Sequence, residues 1–377
     1  MIQLPVVGMA AAALFTAFLV SLVSTPVVRS LAFRMGAVDV PRDGRRMHDH
    51  PIPRMGGLAI FFGFILSVLV FLPLTADLRG MLLGSVVIVI LGIFDDIRSL
   101  PALPKFFIQI GAALIAVMEG NRITFLSNPN IFSADPFWEL GWLAVPITVL
   151  WIGGITNAVN LIDGLDGLAC GVSTISSMTM LVIALSVAEP DVAVLMAALS
   201  GACIGFLPYN LNPAKIFMGD TGSTFLGFIL AVVSIQGLFK YATIISFAVP
   251  FLMLGLPIFD TCFAILRRLS RGQSPMKPDR GHIHHRLIDM GFSQKQAVAT
   301  LYVISAILGL SAVVLTTIGV LRAMLFLMAL CITGAVAAGI FISHNGPRDP
   351  EQVRRGTGRS QISGSENFFG EEDQSDK

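Results

Sequence analysis

The stretch that decides the fold is residues 143–184, LAVPITVLWIGGITNAVNLIDGLDGLACGVSTISSMTMLVIA. Two apolar segments enclose a short polar turn that contains Asn157, Asn160, Asp163 and Asp166. Polar groups at the edge of a membrane are costly, so they point to a function. Each aspartate precedes a glycine, which lets a backbone or a phosphate come close. The stretch predicts two membrane helices joined by a turn that suits a magnesium–phosphate site.

The composition of the whole chain agrees with a membrane protein. Of its 377 residues, 54% are hydrophobic and 13% are charged, whereas a soluble domain carries about 25% charged residues. We therefore predict an all-α, polytopic membrane protein. The net charge of +1 gives no indication of a nucleic-acid partner. The four cysteines lie in apolar stretches without metal-ligand spacing and are expected to be small buried hydrophobic residues.

Hydropathy predicts eleven spans, because a span needs roughly 17–25 mostly apolar residues. The candidates are 4–25, 56–73, 79–94, 104–119, 141–157, 168–187, 191–208, 222–239, 243–266, 297–318 and 321–342. Alternating loops then place all but four of the 25 lysines and arginines on one side. The positive-inside rule makes that side cytoplasmic, with the N-terminus outside and the C-terminus inside.

Two parts of the chain are expected. Residues 1–343 would form the transmembrane domain. Residues 344–377 are rich in Gly, Ser, Gln and charged residues, with too little apolar surface to fold, and are predicted to be a disordered cytoplasmic tail.

The polar clusters all fall on the predicted cytoplasmic side. Asp95 and Asp96 end one span, and a carboxylate pair suits a magnesium or base site. Lys105 begins the next span, where it either extends to the interface or holds a phosphate. Asp220 stands at the start of an apolar helix, where backbone N–H groups favour anions or the side chain acts as a cap. A helical bundle could bring these clusters together.

Two further clusters flank these. Asn210 and Phe217 precede Asp220, and the ring of Phe217 either belongs to the core or stacks on a base. The segment from Arg280 to His285 holds His282, His284 and His285. Zinc is disfavoured, since no cysteine accompanies the histidines and their spacing matches no common zinc pattern. Histidines among arginines suit a phosphate better.

Five segments of the sequence together resemble the motifs of a known family. They are Pro53–Gly57, Asp95-Asp96, Asn157–Ala169, Phe217–Ser223 and Asp279–Arg286. The chain resembles the polyprenyl-phosphate N-acetylhexosamine-1-phosphate transferases, a superfamily that includes the bacterial phospho-MurNAc-pentapeptide translocase. The His-Ile-His-His sequence is similar to that of the branch that transfers GlcNAc-1-phosphate.

The resemblance implies a reaction and its partners. Undecaprenyl phosphate attacks the sugar-linked phosphorus of a UDP-sugar and gives a lipid pyrophosphoryl sugar and UMP. Positioning and metal electrostatics supply most of the catalysis in such transfers. The implied cofactor is Mg²⁺, with Mn²⁺ as a substitute. The expected partners are the UDP-sugar, undecaprenyl phosphate and membrane lipid, with no nucleic acid and a homodimer as a candidate assembly. The expected location is the bacterial inner membrane, with a cytoplasmic active site.

The resemblance also implies residue roles. Asp220 and Asp96 would bind the metal. The catalytic residues would be Asp95, Asp96, Asp163 and His282. The substrate-binding residues would be Lys105, Asn157, Asn160, Asp166, Asn210, Phe217, Arg280, His284 and His285.

Three alternatives remain at this point. Within the family, the donor could be the MurNAc-pentapeptide derivative. A secondary transporter would place polar residues in broken helices near the midplane, and the chain has no visible two-fold repeat. A non-catalytic scaffold would not need several acidic, basic and amide clusters on one face.

Overall fold

A computed structural model describes residues 4–40, 50–127, 137–237, 244–274 and 281–318, together with residues 326 and 328. The chain divides into two compact units, Met1–Ala323 and Met324–Lys377. In the second unit only residues 326 and 328 are described, so the predicted tail and most of the eleventh predicted span lie outside the described residues.

The first unit is built from helices, as its apolar segments predict. They are α1 Leu4–Met35, α2 Gly57–Phe71, α3 Ala76–Arg98, α4 Ala102–Met118, α5 Ala144–Leu161, α6 Leu168–Ser186, α7 Pro190–Asn210, α8 Gly219–Gly237, α9 Ile244–Met253, α10 Gly255–Ser270, α11 Ile283–Asp289 and α12 Gln294–Ile318. Two short antiparallel strand pairs complete it, β1 Val38–Asp39 with β2 Ile52–Pro53 and β3 Phe125–Ser127 with β4 Phe137–Glu139.

The membrane class is confirmed by the length and composition of these helices. Within the described ranges, six are long and apolar enough to cross a membrane, namely α1, α3, α5 with the turn before it, α6, α7 and α12. The shorter α2 and α4 are also apolar. The total of eleven spans and the sidedness of the termini stay predictions.

The structure adds two local details that hydropathy did not predict. Within the predicted span 243–266, the helix is interrupted at Leu254 between α9 and α10. Pro257 has no N–H group, so it cannot donate the helical hydrogen bond to Met253. The segment between the predicted spans 243–266 and 297–318 contains the short helix α11, which is too brief for hydropathy to reveal.

The centre of the unit is formed by α7 and α8, whose residues are mostly buried. Helix α7 packs against α1, α2 and α6, while α8 packs against α3, α5 and α2. Small residues allow this close packing: a Cβ atom at Gly201 would overlap the carbonyl oxygen of Leu14, and one at Gly205 would overlap that of Phe18. Such contacts between backbones are the usual way in which membrane helices associate.

Glycines also let three helices meet at the start of α8. A Cβ atom at Gly57 of α2 would overlap the Cα atom of Gly222, and one at Gly92 of α3 would overlap that of Thr221. The segments before α2 and α8 are joined by backbone hydrogen bonds, from Gly56 N to Phe217 O at 2.9 Å and from Gly57 N to Met218 O at 2.9 Å. The N-terminus of α8 is therefore held on two sides by backbone.

Replacing Gly57 should test this crossing. We expect Gly57→Ala to lower the free energy of unfolding by about 1–3 kcal/mol, because the added methyl group meets backbone that cannot move aside. Thermal unfolding of the detergent-solubilised protein measures the effect. Gly111→Ala is the matched control, since its Cβ atom would meet nothing within 4 Å. Equal midpoints for the two variants would contradict the tight crossing.

Candidate active site

A cavity of about 340 Å³ lies where α3, α5 and α7 end and α6, α8 and α12 begin. Its walls include many of the residues singled out by the sequence, which come from widely separated segments. These are Asp96, Asp163, Asp166, Asn210, Phe217, Asp220 and His285. The tertiary structure thus brings the predicted polar clusters to one end of the bundle.

Asp96 is bound to the N-terminus of α8. Its carboxylate accepts hydrogen bonds from Asp220 N at 2.9 Å, Thr221 N at 3.1 Å and Thr221 Oγ1 at 2.6 Å. These backbone N–H groups have no partner within the helix, and the negative charge is favourable at the positive end of the helix dipole. Asp96 is buried, so its oxygens are largely used in holding α8 in place.

Asp95 and Asp220 are bridged by one ammonium group. Lys105 Nζ contacts Asp95 Oδ2 at 2.6 Å and also contacts Asp220 Oδ2. The other oxygen of Asp95 accepts Leu100 N at 2.6 Å. The side chain of Asp220 retains 28% of its exposure and lines the cavity. Lys105 therefore links Asp95 of the predicted carboxylate pair to Asp220, the predicted metal ligand.

The turn between α5 and α6 carries the other carboxylates. Asp166 Oδ2 accepts Asn212 Nδ2 at 2.9 Å and Ala214 N at 3.1 Å, which fixes this turn to the segment before α8. Asp163 also lines the cavity. Among the described residues, none forms a hydrogen bond of this kind with its side chain. Burial, together with the charges of Asp220 and Asp96, raises the pKa of Asp163 to about 8. The cavity thus holds more negative than positive charge.

The histidines occupy α11 and the residue before it. His282 Nδ1 lies 2.8 Å from Asp260 Oδ2. His284 is buried against the turn between α5 and α6, since a Cβ atom at Gly164 would overlap its ring. Burial and the neighbouring His285 lower the pKa of His284 to about 4, so this ring is neutral near pH 7 and packs against the turn. His285 reaches the cavity wall.

Some predicted residues lie away from the cavity wall. Asn157 Nδ2 donates to Gln109 Oε1 at 2.7 Å and to Gly153 O at 2.8 Å, within the bundle. Asn160 is half-buried in the last turn of α5, and neither asparagine lines the cavity. Arg280 lies outside the described residues. The substrate roles of these three residues stay predictions.

Asn210 has a buried acceptor that the described residues leave unused. Its Nδ2 donates to Ile216 O at 3.1 Å, whereas its buried Oδ1 has no hydrogen-bond partner in the described part of the chain. A buried acceptor without a partner is costly. The residue lines the cavity beside Phe217, although Oδ1 itself is not exposed there.

Sequence reasoning missed several residues of the site. Arg54 lines the cavity and donates to Asp39 Oδ2 at 3.0 Å. The available signal in the sequence was the Gly56-Gly57 pair shortly after Arg54. In the structure, Gly57 lies against the start of α8. Asp260 was also missed, although an acidic residue inside an apolar span points to function by default.

The residues of the cavity suit Mg²⁺ if the substrate supplies some of the ligands. Among the described residues, no group of three or more His, Cys, Asp or Glu side chains could hold a metal by itself. Magnesium typically takes one or two carboxylates and completes its shell with water and substrate phosphate. Asp220 and Asp163 suit this role, because their carboxylates line a cavity with excess negative charge. Asp96 suits it less, since α8 occupies its oxygens.

Comparisons with known proteins give a consistent result. The profile of glycosyl transferase family 4 matches residues 78–238. A probable undecaprenyl-phosphate N-acetylglucosaminyl 1-phosphate transferase of Bacillus subtilis is 47% identical over 304 residues, which cover 79% of this chain and 84% of the relative. A decaprenyl-phosphate N-acetylglucosaminephosphotransferase of Mycolicibacterium smegmatis is 36% identical, with coverage of 79% and 80%. An undecaprenyl-phosphate alpha-N-acetylglucosaminyl 1-phosphate transferase of Escherichia coli O157:H7 is 29% identical, with coverage of 78% of each chain.

Replacing the carboxylate of Asp96 by the amide of asparagine tests its role in capping α8. An asparagine has one carbonyl oxygen, so Asp96→Asn should leave a backbone N–H group of α8 without its acceptor. We expect the free energy of unfolding to fall by about 1–3 kcal/mol, measured as a lower thermal midpoint. Asp191→Asn, an exposed carboxylate at the start of α7, is the control. If both variants unfold at the wild-type temperature, Asp96 does not support α8.

Proposed function

The chain belongs to glycosyl transferase family 4, and we propose from this membership that it transfers GlcNAc-1-phosphate from UDP-GlcNAc to undecaprenyl phosphate. The relatives described above are named as GlcNAc-1-phosphate transferases that act on undecaprenyl or decaprenyl phosphate. The transfer of GlcNAc-1-phosphate to a polyprenyl phosphate follows from that similarity over most of the chain. The choice of UDP as carrier and undecaprenyl phosphate as acceptor is the finer part of the proposal.

One observation carries the proposal. Carboxylates from the end of α3, the turn between α5 and α6, and the start of α8 converge on one cavity. This arrangement lies at the end of an apolar bundle, where a water-soluble nucleotide and a membrane lipid can meet. It disfavours a secondary transporter, whose polar residues would line a path near the midplane.

Asp220 and Asp163 would hold Mg²⁺, with Mn²⁺ as a substitute. When bound, the ion supplies positive charge that neutralises the diphosphate of the donor. Lys105 stands beside Asp220 and would contact a phosphate oxygen. Arg54 lines the same cavity, and its guanidinium group suits a phosphate. These cations and carboxylates would position the two phosphates, which is most of what this kind of transfer requires.

Asn210 and Phe217 would form the nucleoside side of the cavity. Asn210 would contact the uracil or the ribose, and a small shift of its side chain would bring the unused Oδ1 to a donor of the ligand. The half-buried ring of Phe217 would contact the face of the base. His285 on the cavity wall and Arg280 in the preceding segment would contact phosphate or sugar.

The chemical step is a direct displacement in this proposal. A phosphate oxygen of the lipid attacks the sugar-linked phosphorus, the bond to the bridging oxygen breaks, and UMP leaves with that oxygen. A phosphate monoester has its second pKa near 6, so the lipid phosphate is largely a dianion already. Asp95, which binds Lys105, is therefore not required as a strong base. Its bond to Lys105 instead orients the ammonium group.

The setting of the enzyme is also part of the proposal. We infer a multi-pass protein of the bacterial inner membrane with its N-terminus outside, eleven spans over residues 1–343 and the active site in the cytoplasm. Residues 344–377 would form a cytoplasmic tail. A homodimer is the candidate assembly.

A radiolabelled assay with a panel of donors tests the function. Membranes that contain the protein are incubated with undecaprenyl phosphate, Mg²⁺ and UDP-GlcNAc, UDP-GalNAc or UDP-MurNAc-pentapeptide. We expect UMP and lipid-linked sugar in equal amounts, with UDP-GlcNAc as the best donor. Preference for the pentapeptide donor would refute the proposed substrate. Sugar flux across vesicles without UMP release would indicate a transporter.

Substitution of Asp220 tests the metal assignment. We expect Asp220→Asn to lower magnesium-dependent turnover by at least about 100-fold, because one preorganised charge at the reacting phosphate is worth this much. Membrane insertion should be unchanged. Asp191→Asn is the control. Near-normal turnover of purified Asp220→Asn would refute Asp220 as a metal ligand.

The identity of the metal gives an independent prediction. After removal of divalent ions with a chelator, Mg²⁺ should restore turnover fully. Zinc should not restore it better, since carboxylate and phosphate oxygens favour magnesium whereas zinc favours nitrogen and sulfur ligands. The rate of UMP release at matched free metal concentrations measures this. A higher rate with zinc would contradict the oxygen-ligand site.

A further inference from the structure

Asp260 is a buried carboxylate on α10, a helix with exposed apolar side chains on another face. Its neighbours on α10 include the exposed apolar side chains of Phe259, Phe263 and Leu266. Asp260 itself is only 3% exposed, and it does not line the cavity. A charged group in such surroundings is costly unless it is hydrogen-bonded. Its position therefore calls for a specific partner.

Both oxygens of Asp260 are used by the segment that begins α11. Oδ2 lies 2.8 Å from His282 Nδ1, and Oδ1 accepts the backbone N–H of Ile283 at 2.8 Å. An ionised carboxylate only accepts hydrogen bonds, so Nδ1 of His282 must carry the proton. Nε2 is then the nitrogen that remains for a ligand.

The ring of His282 is connected to the cavity through α11. It stacks on His284 with ring centres 5.8 Å apart and planes 9° apart, and His284 contacts His285 at 4.3 Å. His284 packs on Gly164, which lines the cavity beside Asp163. A movement of His282 would thus be passed to the turn that carries Asp163.

We propose that Asp260 is a positioning residue for the transfer reaction, which holds Nδ1–H of His282, sets the orientation of the ring and fixes α11 against the active-site turn. The proposal rests on the proposed function. His282 would donate a hydrogen bond from Nε2–H to a phosphate oxygen, either of the UDP-sugar or of the lipid phosphate. Asp260 stays behind the ring and touches neither substrate.

The isosteric variant Asp260→Asn separates positioning from packing. Asparagine keeps the size of the side chain, and its carbonyl oxygen can still accept Ile283 N. Its amide group, however, donates towards Nδ1 of His282, which moves the ring proton to Nε2 and disfavours the doubly protonated ring. In the variant Nε2 can still carry a proton, but the ring loses the carboxylate that supports its positive charge, so its hydrogen bond to an anionic phosphate is weaker.

The assay is the release of UMP from UDP-GlcNAc with undecaprenyl phosphate by the purified full-length chain. We expect Asp260→Asn to lower kcat by about 100-fold, at the lower end of the effect of losing one preorganised donor at the reacting phosphate. KM for UDP-GlcNAc should change less than about threefold, since the donor's own contacts remain. Asp191→Asn should behave as wild type.

A double-mutant cycle gives the readout that a merely structural role would not produce. In the His282→Gln background, which has already lost the ring, Asp260→Asn should lower kcat by less than about twofold more. If the two losses multiply, or if Asp260→Asn alone has normal kcat, the proposal is overturned.

Two further outcomes are decided in the same experiment. Where Asp260→Asn does not fold, as judged by its thermal midpoint, His282→Gln with Asp260 intact must show the same loss of kcat at a wild-type midpoint, and normal activity overturns the proposal. If the wild-type chain itself releases no UMP with any UDP-HexNAc donor, the proposed function fails and this inference fails with it. The activity of the Asp191→Asn control distinguishes the two failures.

Discussion

The structure depends on the capping of one helix by a carboxylate from another. The N-terminus of α8 lies at one end of the bundle, but Thr221 and the contacting Asp96 are buried, so unpaired backbone N–H groups would be costly there. Asp96 of α3 accepts the N–H groups of Asp220 and Thr221. The same contact sets the position of Asp220 at the cavity. Glycines 57, 92 and 222 make it geometrically available, because they let α2, α3 and α8 approach to backbone contact. Fold and site thus share their central contact.

The charge distribution around this cap explains why the cavity suits a metal and phosphates. Asp220 and Asp95 share Lys105, while Arg54 is bonded to Asp39 on the other side of the cavity. These cations do not balance all the carboxylates, and burial together with the charges of Asp220 and Asp96 raises the pKa of Asp163. A divalent cation would relieve this excess, and the anionic substrates would then meet positive charge. The hydrogen bonds of Asp96 and Asp166 hold the start of α8 and the turn between α5 and α6 in place before a substrate binds. Phosphoryl transfer depends on such positioning.

Helix α11 contributes His285, Ile288 and Asp289 to the cavity wall. It is too short to be stable alone, so its conformation depends on contacts at both ends. Asp260 holds its N-terminal residues, and the ring of His284 fills the space left by Gly164. Because Asn212 also contacts Asp166 and Gln294, the turn between α5 and α6 is bound to segments on several sides. These contacts hold the turn, and the side chains that it carries, in a defined position.

Hydropathy alone determined the helical membrane class and the approximate limits of most described helices, because each span needs only enough apolar residues along its own length. Isolated polar residues in such a sequence also indicated the site, and Asp96, Asp163, Asn210, Asp220 and His285, which the sequence pattern singled out, all line the cavity. The tertiary structure alone decided which groups share a hydrogen bond. In the structure, Asn157 lies away from the cavity and Asp96 accepts the N–H groups at the start of α8. Arg54 lines the cavity, and Asp260 contacts His282. These outcomes depend on where separate helices cross, and a pattern along one segment holds no information about a partner from another.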